Sequence, residues 1–133
     1  MLKLMYITND PKVAKIAADA GVDRIFIDME VLGKVERQGG MDTVQSYHVP
    51  EDIAKVRAAV GNQAEIMARV NPLNPNSQTE IDDAIANGAD VIMLPMWRTA
   101  DDLRQLVSMV DDRAKVMPLL ETDTAADNLP EAL

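Results

Sequence analysis

The chain has 133 residues, 47% hydrophobic but only 3% aromatic, enough for one core and one domain, taken as 1–133, with nine Met helping to fill it. A net charge of -9 argues against nucleic acid or an anionic membrane as partner. The lack of cysteine excludes disulfides, thiol nucleophiles and Cys-based zinc sites.

No apolar run approaches the roughly 20 residues that cross a bilayer. The opening "MLKLMYITND" lacks the h-region and cleavage site of a signal peptide. A soluble, cytoplasmic protein is expected.

The chain reads as five repeats of one unit, a short apolar strand followed by a helix. "KLMYIT" is the first strand. The helix after it is marked by Asp10 as N-cap, Pro11 at the first helical position and Gly21 past its end. "DRIFIDME" is strand two, and "EDIAKVRAAVG" is again a helix ending on Gly. "AEIMARVNP" is strand three, and Ser77 and Glu80 stand in capping-box register on the next helix. "DVIMLPMW" is strand four and "TADDLRQLVSMVDD" a helix capped by Thr99. "AKVMPLL" is strand five, with a further helix from near Thr124. The one long connection, 31–50, is polar and contains Gly; Glu36 and Arg37 within it form a solvated charge cluster or fold over the site.

Strands alternating with helices imply βαβ units, a parallel sheet and right-handed crossovers. Two architectures fit five such units: a complete doubly wound, flavodoxin-like sheet, or the first part of a (β/α)₈ barrel. Both place ligands at the carboxyl ends of the strands.

Polar residues gather at those ends. Strand two ends in Asp28 and Glu30, strand three in Arg69 and Asn71, and strand five in Glu121. Asp28 and Glu30 share a face by the two-residue period, with Met29 opposite. Carboxylates beside an arginine suit Mg²⁺ or Mn²⁺ holding an anionic, oxygen-rich ligand, with the guanidinium forked onto a carboxylate. The alternative is that Arg69 only neutralises the rim by pairing with Glu121 or Asp28. His48 lies in the long connection, as a capping residue or a base. Trp97 walls a pocket or packs in the core. No P-loop, G-x-G-x-x-G or G-x-S-x-G occurs.

"RIFIDME", "ARVNP", "GADVIMLPMW" and "VMPLLET", in this order and spacing, resemble the HpcH/HpaI aldolase and citrate lyase β-subunit family of the phosphoenolpyruvate/pyruvate barrel superfamily. The resemblance runs along essentially the whole chain. It implies a (β/α)₈ barrel of which this chain supplies about the first five βα units. It also implies a lyase that makes or breaks carbon–carbon bonds beside a keto acid or acyl-CoA enolate, with a divalent metal. By the same resemblance Arg69 holds the substrate carboxylate and enolate oxygen, Glu121 is the first metal carboxylate, and Asp28 supports a metal-bound water or base. Gly88, Ala89 and Asp90 match a structural turn into strand four.

The pattern also departs from the family. Val31 occupies the position where one aldolase branch has a histidine base, so His48 is the substitute candidate. The family's second metal carboxylate follows strand six, and this chain is expected to stop before it. That expectation points to a truncated barrel that self-associates, with a site incomplete in this chain; the 31–50 connection lacks the short post-strand acidic pattern of many citryl-CoA lyases, which favours a 2-keto acid aldolase. The competing expectation is an incompetent truncated domain that binds ligand or assembles.

Overall fold

The computed structural model describes residues 1–32 and 48–133; Glu36 and Arg37 lie outside them. Each expected strand forms: β1 Met5–Ile7, β2 Arg24–Asp28, β3 Glu65–Arg69, β4 Val91–Leu94 and β5 Lys115–Pro118. Between and after them run α1 Pro11–Asp19, α2 Pro50–Val60, α3 Ser77–Ala86, α4 Ala100–Val110, α5 Asp123–Asp127 and α6 Leu129–Ala132. All strand pairs are parallel, and the sheet order is β1-β2-β3-β4-β5.

That order overturns the doubly wound alternative. A doubly wound sheet reverses direction at a switch point and carries helices on both faces. Here every crossover steps the same way, and uniform right-handedness puts all the helices on one face. The molecule is therefore an arc of a (β/α)₈ barrel.

Two apolar layers follow from the period of two along each strand. Ile25 and Ile27, Ile66 and Ala68, and Ile92 and Leu94 point to the helices, where they bury Ile53, Val56, Ile81 and Leu106. Phe26, Met67, Val91 and Met93 form a smaller cluster on the opposite, barrel-lining face, joined by Met117 and Leu119. Met67 and Met93 thus fill the interior as unbranched, adaptable side chains. β2 to β4 are buried, whereas β1 and most of β5 are exposed edges.

Local signals explain the helix starts. Asp10 Oδ1 accepts from the Lys12 and Val13 amides at 2.8 and 3.4 Å, as an N-cap should. Thr99 and Asp102 cap α4 reciprocally. The Ser77–Glu80 capping box does not form. Asn76 is the N-cap residue of α3, the Ser77 hydroxyl accepts from the Asn74 amide at 2.9 Å, and Glu80 turns to Asn71. A tertiary acceptor for Asn71 outcompetes the local cap.

The "GAD" turn is built around Arg57 of α2. Its guanidinium donates to the Gly88 carbonyl at 2.7 Å and pairs with Asp90, which also accepts from the Ile66 amide at 2.9 Å. Gly88 has φ +113°, and a Cβ there would lie 3.2 Å from Arg57. The conformation favours glycine, and a methyl group there would press on the Arg57 side chain.

Candidate functional site

The parallel register sets Asp28 beside Arg69, and Arg69 beside Met93, in one row on the barrel-lining face. Arg69 Nε donates to Asp28 Oδ1 at 3.0 Å and Nη2 to Asp28 Oδ2 at 2.6 Å. Below them the Phe26 ring carries the guanidinium carbon 5.5 Å above its centroid. Glu30 is 1% exposed and places Oε2 3.4 Å from Arg69 Nε, while its own amide donates to Asp28 Oδ1 at 3.1 Å. Arg69 stays charged: the Asp28 hydrogen bonds raise its pKa against burial, and the charges of Asp28, Glu30 and Glu121 add to the rise.

This contact fixes the orientation of a planar group. Asp28 occupies the Nε–Nη2 edge of the fork, and Nη1 makes no hydrogen bond to any described residue. Among the described residues two of the five guanidinium N–H groups are thereby used, and no described side chain bonds the terminal Nη1.

Glu121 follows β5 at an exposed position, close enough to raise the Arg69 pKa. Its Oε1 accepts from the Met96 amide at 3.0 Å. Met96 has φ +55°, an uncommon conformation for a side chain of its size. Backbone strain of this kind costs about 1–3 kcal/mol and gathers at functional sites. The next residue, Thr122, donates its hydroxyl to the Trp97 carbonyl at 2.8 Å and caps α5. The β4–α4 turn thus holds both ends of the short Glu121 segment.

Asp28, Arg69 and Glu121 therefore meet at one rim, as the strand-end pattern implied. His48 and Trp97 stand apart from it. His48 Nδ1 contacts Asn9 Nδ2 at 2.6 Å and lies 3.7 Å from Asp52 Oδ2. It lines a cavity of about 210 Å³ with Met29, Val31 and Asn71, outside the Asp28–Arg69 pair. Trp97 is buried in the helix-side core and borders a cavity of about 280 Å³ with Pro72, Leu73 and Pro95. Among the described residues, no three His, Asp or Glu side chains gather around a common point suited to a metal.

Two features escape a reading of strand ends. Asn71 pins the chain after β2: its Oδ1 accepts from the Val31 and Leu32 amides at 2.7 and 2.9 Å. Asn71 stands among the strand-end polar residues, but nothing in the sequence marks that role. Nothing in the sequence marked the positive φ of Met96.

The profile of the HpcH/HpaI aldolase/citrate lyase family matches residues 3–132. The chain belongs to this family.

Solved structures agree on the fold. The HpcH/HpaI aldolase from Desulfitobacterium hafniense DCB-2 superposes with a TM-score of 0.71 at 14% identity, over 98% of this chain and 57% of that one. KGPDC from Streptococcus mutans gives a TM-score of 0.60 at 14% identity, over 98% of this chain and 60% of that one. The chain thus spans less than two thirds of either structure. No curated protein matches it. No described helix is long and apolar enough to cross a membrane.

Proposed function

We propose that the chain carries the enolate-holding part of a metal-dependent carbon–carbon lyase of 2-keto acid aldolase type. One observation carries this reading: Asp28 holds one edge of the Arg69 guanidinium and leaves the terminal edge for a carboxylate. A keto acid with its carboxylate on that edge would bring its enolate oxygen beside a fixed positive charge. Charge that develops at that oxygen is stabilised without reorganisation, the largest single contribution in many enzymes. Asp28 acts here by orienting and charging Arg69. His48 lies beyond the pair, and no proton-transfer step is assigned to it.

The carboxylate at the rim suits a divalent cation. Glu121 offers a hard carboxylate at the rim, and Mg²⁺ commonly binds one or two carboxylates and completes its shell with water and substrate. That chemistry fits Mg²⁺ or Mn²⁺, and Glu121 would hold the ion. When bound, the ion supplies Lewis acidity toward the keto oxygen. Trp97, buried behind the β4–α4 turn, would back the space for an aldehyde or acyl-CoA partner.

Deuterium exchange into the methyl group of pyruvate, followed by NMR with Mg²⁺ or Mn²⁺, tests the reading. Exchange that needs the metal, Arg69 and Glu121 supports it. A folded protein with no exchange above its Arg69→Lys and Glu121→Gln variants sinks it.

A second reading has its own support. Among the described strands β1 and β5 are the sheet edges, and Met5, Tyr6, Ile7, Val116 and Leu120 are exposed there. Such edges favour strand pairing with another chain. In that reading the protein is an assembling or ligand-binding member of the family, homo-oligomeric and without turnover. Sedimentation showing a stable oligomer, together with absent exchange, would select it.

A further inference from the structure

We infer that Asn71 is a positioning residue: held by Glu80, its carboxamide fixes the backbone that presents Glu30 to Arg69, and so sets the ligand-holding edge of that guanidinium. The inference rests on the keto-acid reading of Arg69 given above.

The chemistry of the amide makes the case. Asn71 Nδ2 donates to Glu80 Oε1 at 2.8 Å, which turns Oδ1 toward β2. There Oδ1 accepts from two successive amides, Val31 and Leu32, at 2.7 and 2.9 Å. All the polar atoms of the side chain are engaged in a single orientation.

The anchor itself is rigid. Glu80 sits in the first turns of α3, and Asn74 beside it is pinned to the Pro72 carbonyl at 2.8 Å and the Ser77 hydroxyl at 2.9 Å. Glu80 Oε1 also lies 3.5 Å from Asn74 Nδ2. Glu80 gave up the capping box to take this position. A local capping interaction is worth about 1 kcal/mol, so its loss needs a compensating contact.

The consequence falls on Glu30. Its own amide is tied to Asp28 Oδ1, and the amide of the next residue is tied to Asn71. The peptide planes on both sides of Glu30 are therefore held, one by the carboxylate that binds Arg69 and one by Asn71. Without Asn71 the peptide plane after Glu30 loses its hold, and the approach of Glu30 Oε2 to Arg69 Nε changes with it.

The reciprocal exchange of amide and carboxylate gives the test. Asn71→Asp sets a carboxylate against Glu80, and Asn71→Asp with Glu80→Gln restores a donor–acceptor pair of the same shape. The readouts are the Arg69 Nε–H and the Val31 and Leu32 amide resonances by ¹H–¹⁵N NMR, and pyruvate affinity with Mg²⁺, all on the full chain.

The single variant is expected to shift the Arg69 Nε–H signal and weaken pyruvate about tenfold, while the double variant returns to within about threefold of the parent. Movement of the Val31 and Leu32 amides with Arg69 Nε–H and pyruvate affinity unchanged would reduce Asn71 to a loop staple and overturn the inference. If Asn71→Asp does not fold, Asn71→Ser carries the same readouts with the same expectation. Absent pyruvate binding by the parent chain would sink the keto-acid reading, while the Arg69 Nε–H response still decides the role of Asn71.

Discussion

Arg69 and Asp28 face one another across adjacent parallel strands, joined by hydrogen bonds of 3.0 and 2.6 Å along one edge of the guanidinium. The pair is mostly buried, with Glu30 as a second carboxylate against Nε. A buried pair of this kind adds little net stability, yet removing one partner is expensive because the other is left without its counter-charge.

Arg69→Met is expected to destabilise the fold by about 3–5 kcal/mol, since it leaves two carboxylates beside one another. Arg69→Lys keeps the charge but loses the fork, so stability falls less while pyruvate affinity drops at least about tenfold. Urea titration followed by circular dichroism, beside calorimetric pyruvate binding, separates the two effects. Equal stability of Arg69→Met and the parent would show that the pair is not formed in solution.

Glu121→Gln keeps an acceptor for the Met96 amide and removes the negative charge. Thermal unfolding should therefore change little, while the Mg²⁺ or Mn²⁺ requirement of pyruvate binding should be lost. A variant as metal-responsive as the parent would take Glu121 out of the metal reading.

Glu65 supplies a pH signature away from the site. Its pKa is lowered by the Lys115 hydrogen bond first, with Arg24 adding to the effect against burial. A carboxyl depressed in the folded state contributes stability above its unfolded pKa and loses it as pH falls through its folded value. Glu65→Gln should therefore flatten the fall in stability below about pH 4.5, the ordinary value of the group. Because the side chain is partly exposed, the effect should also shrink in high salt. Parallel acid-unfolding curves for the two proteins would count against the Glu65 ion pairs.

Gly88→Ala meets two penalties at once, a φ of +113° and an Arg57 side chain 3.2 Å from the new methyl group. A loss of about 1–3 kcal/mol is expected. Chemical denaturation of this variant beside Arg57→Ala and the double variant would show non-additive costs if Arg57 provides the crowding. Additive costs would mean that the conformation alone demands glycine.

The alternation of short apolar runs with capped helices fixed the element order, because both rest on contacts within a few residues. Asp10 and Thr99 cap as their local pattern implies. The period of two likewise placed Asp28 and Glu30 on one face, opposite Met29. Ser77 and Glu80 mark where this kind of reading ends, since a distant Asn71 redirected the carboxylate.

Periodicity alone left the sheet order open, because a doubly wound sheet and a barrel arc use the same βα units and differ only in which way each crossover turns; the family resemblance pointed to the arc that forms. The choice of Asp28 over Glu121 as the partner of Arg69 was also tertiary. It depends on the register of β2 against β3 and on the Met96 amide that draws Glu121 to the β4–α4 turn. Residue types and local periodicity determined which groups reach the rim. Strand neighbours and the side chains packed around them decided which of those groups touch.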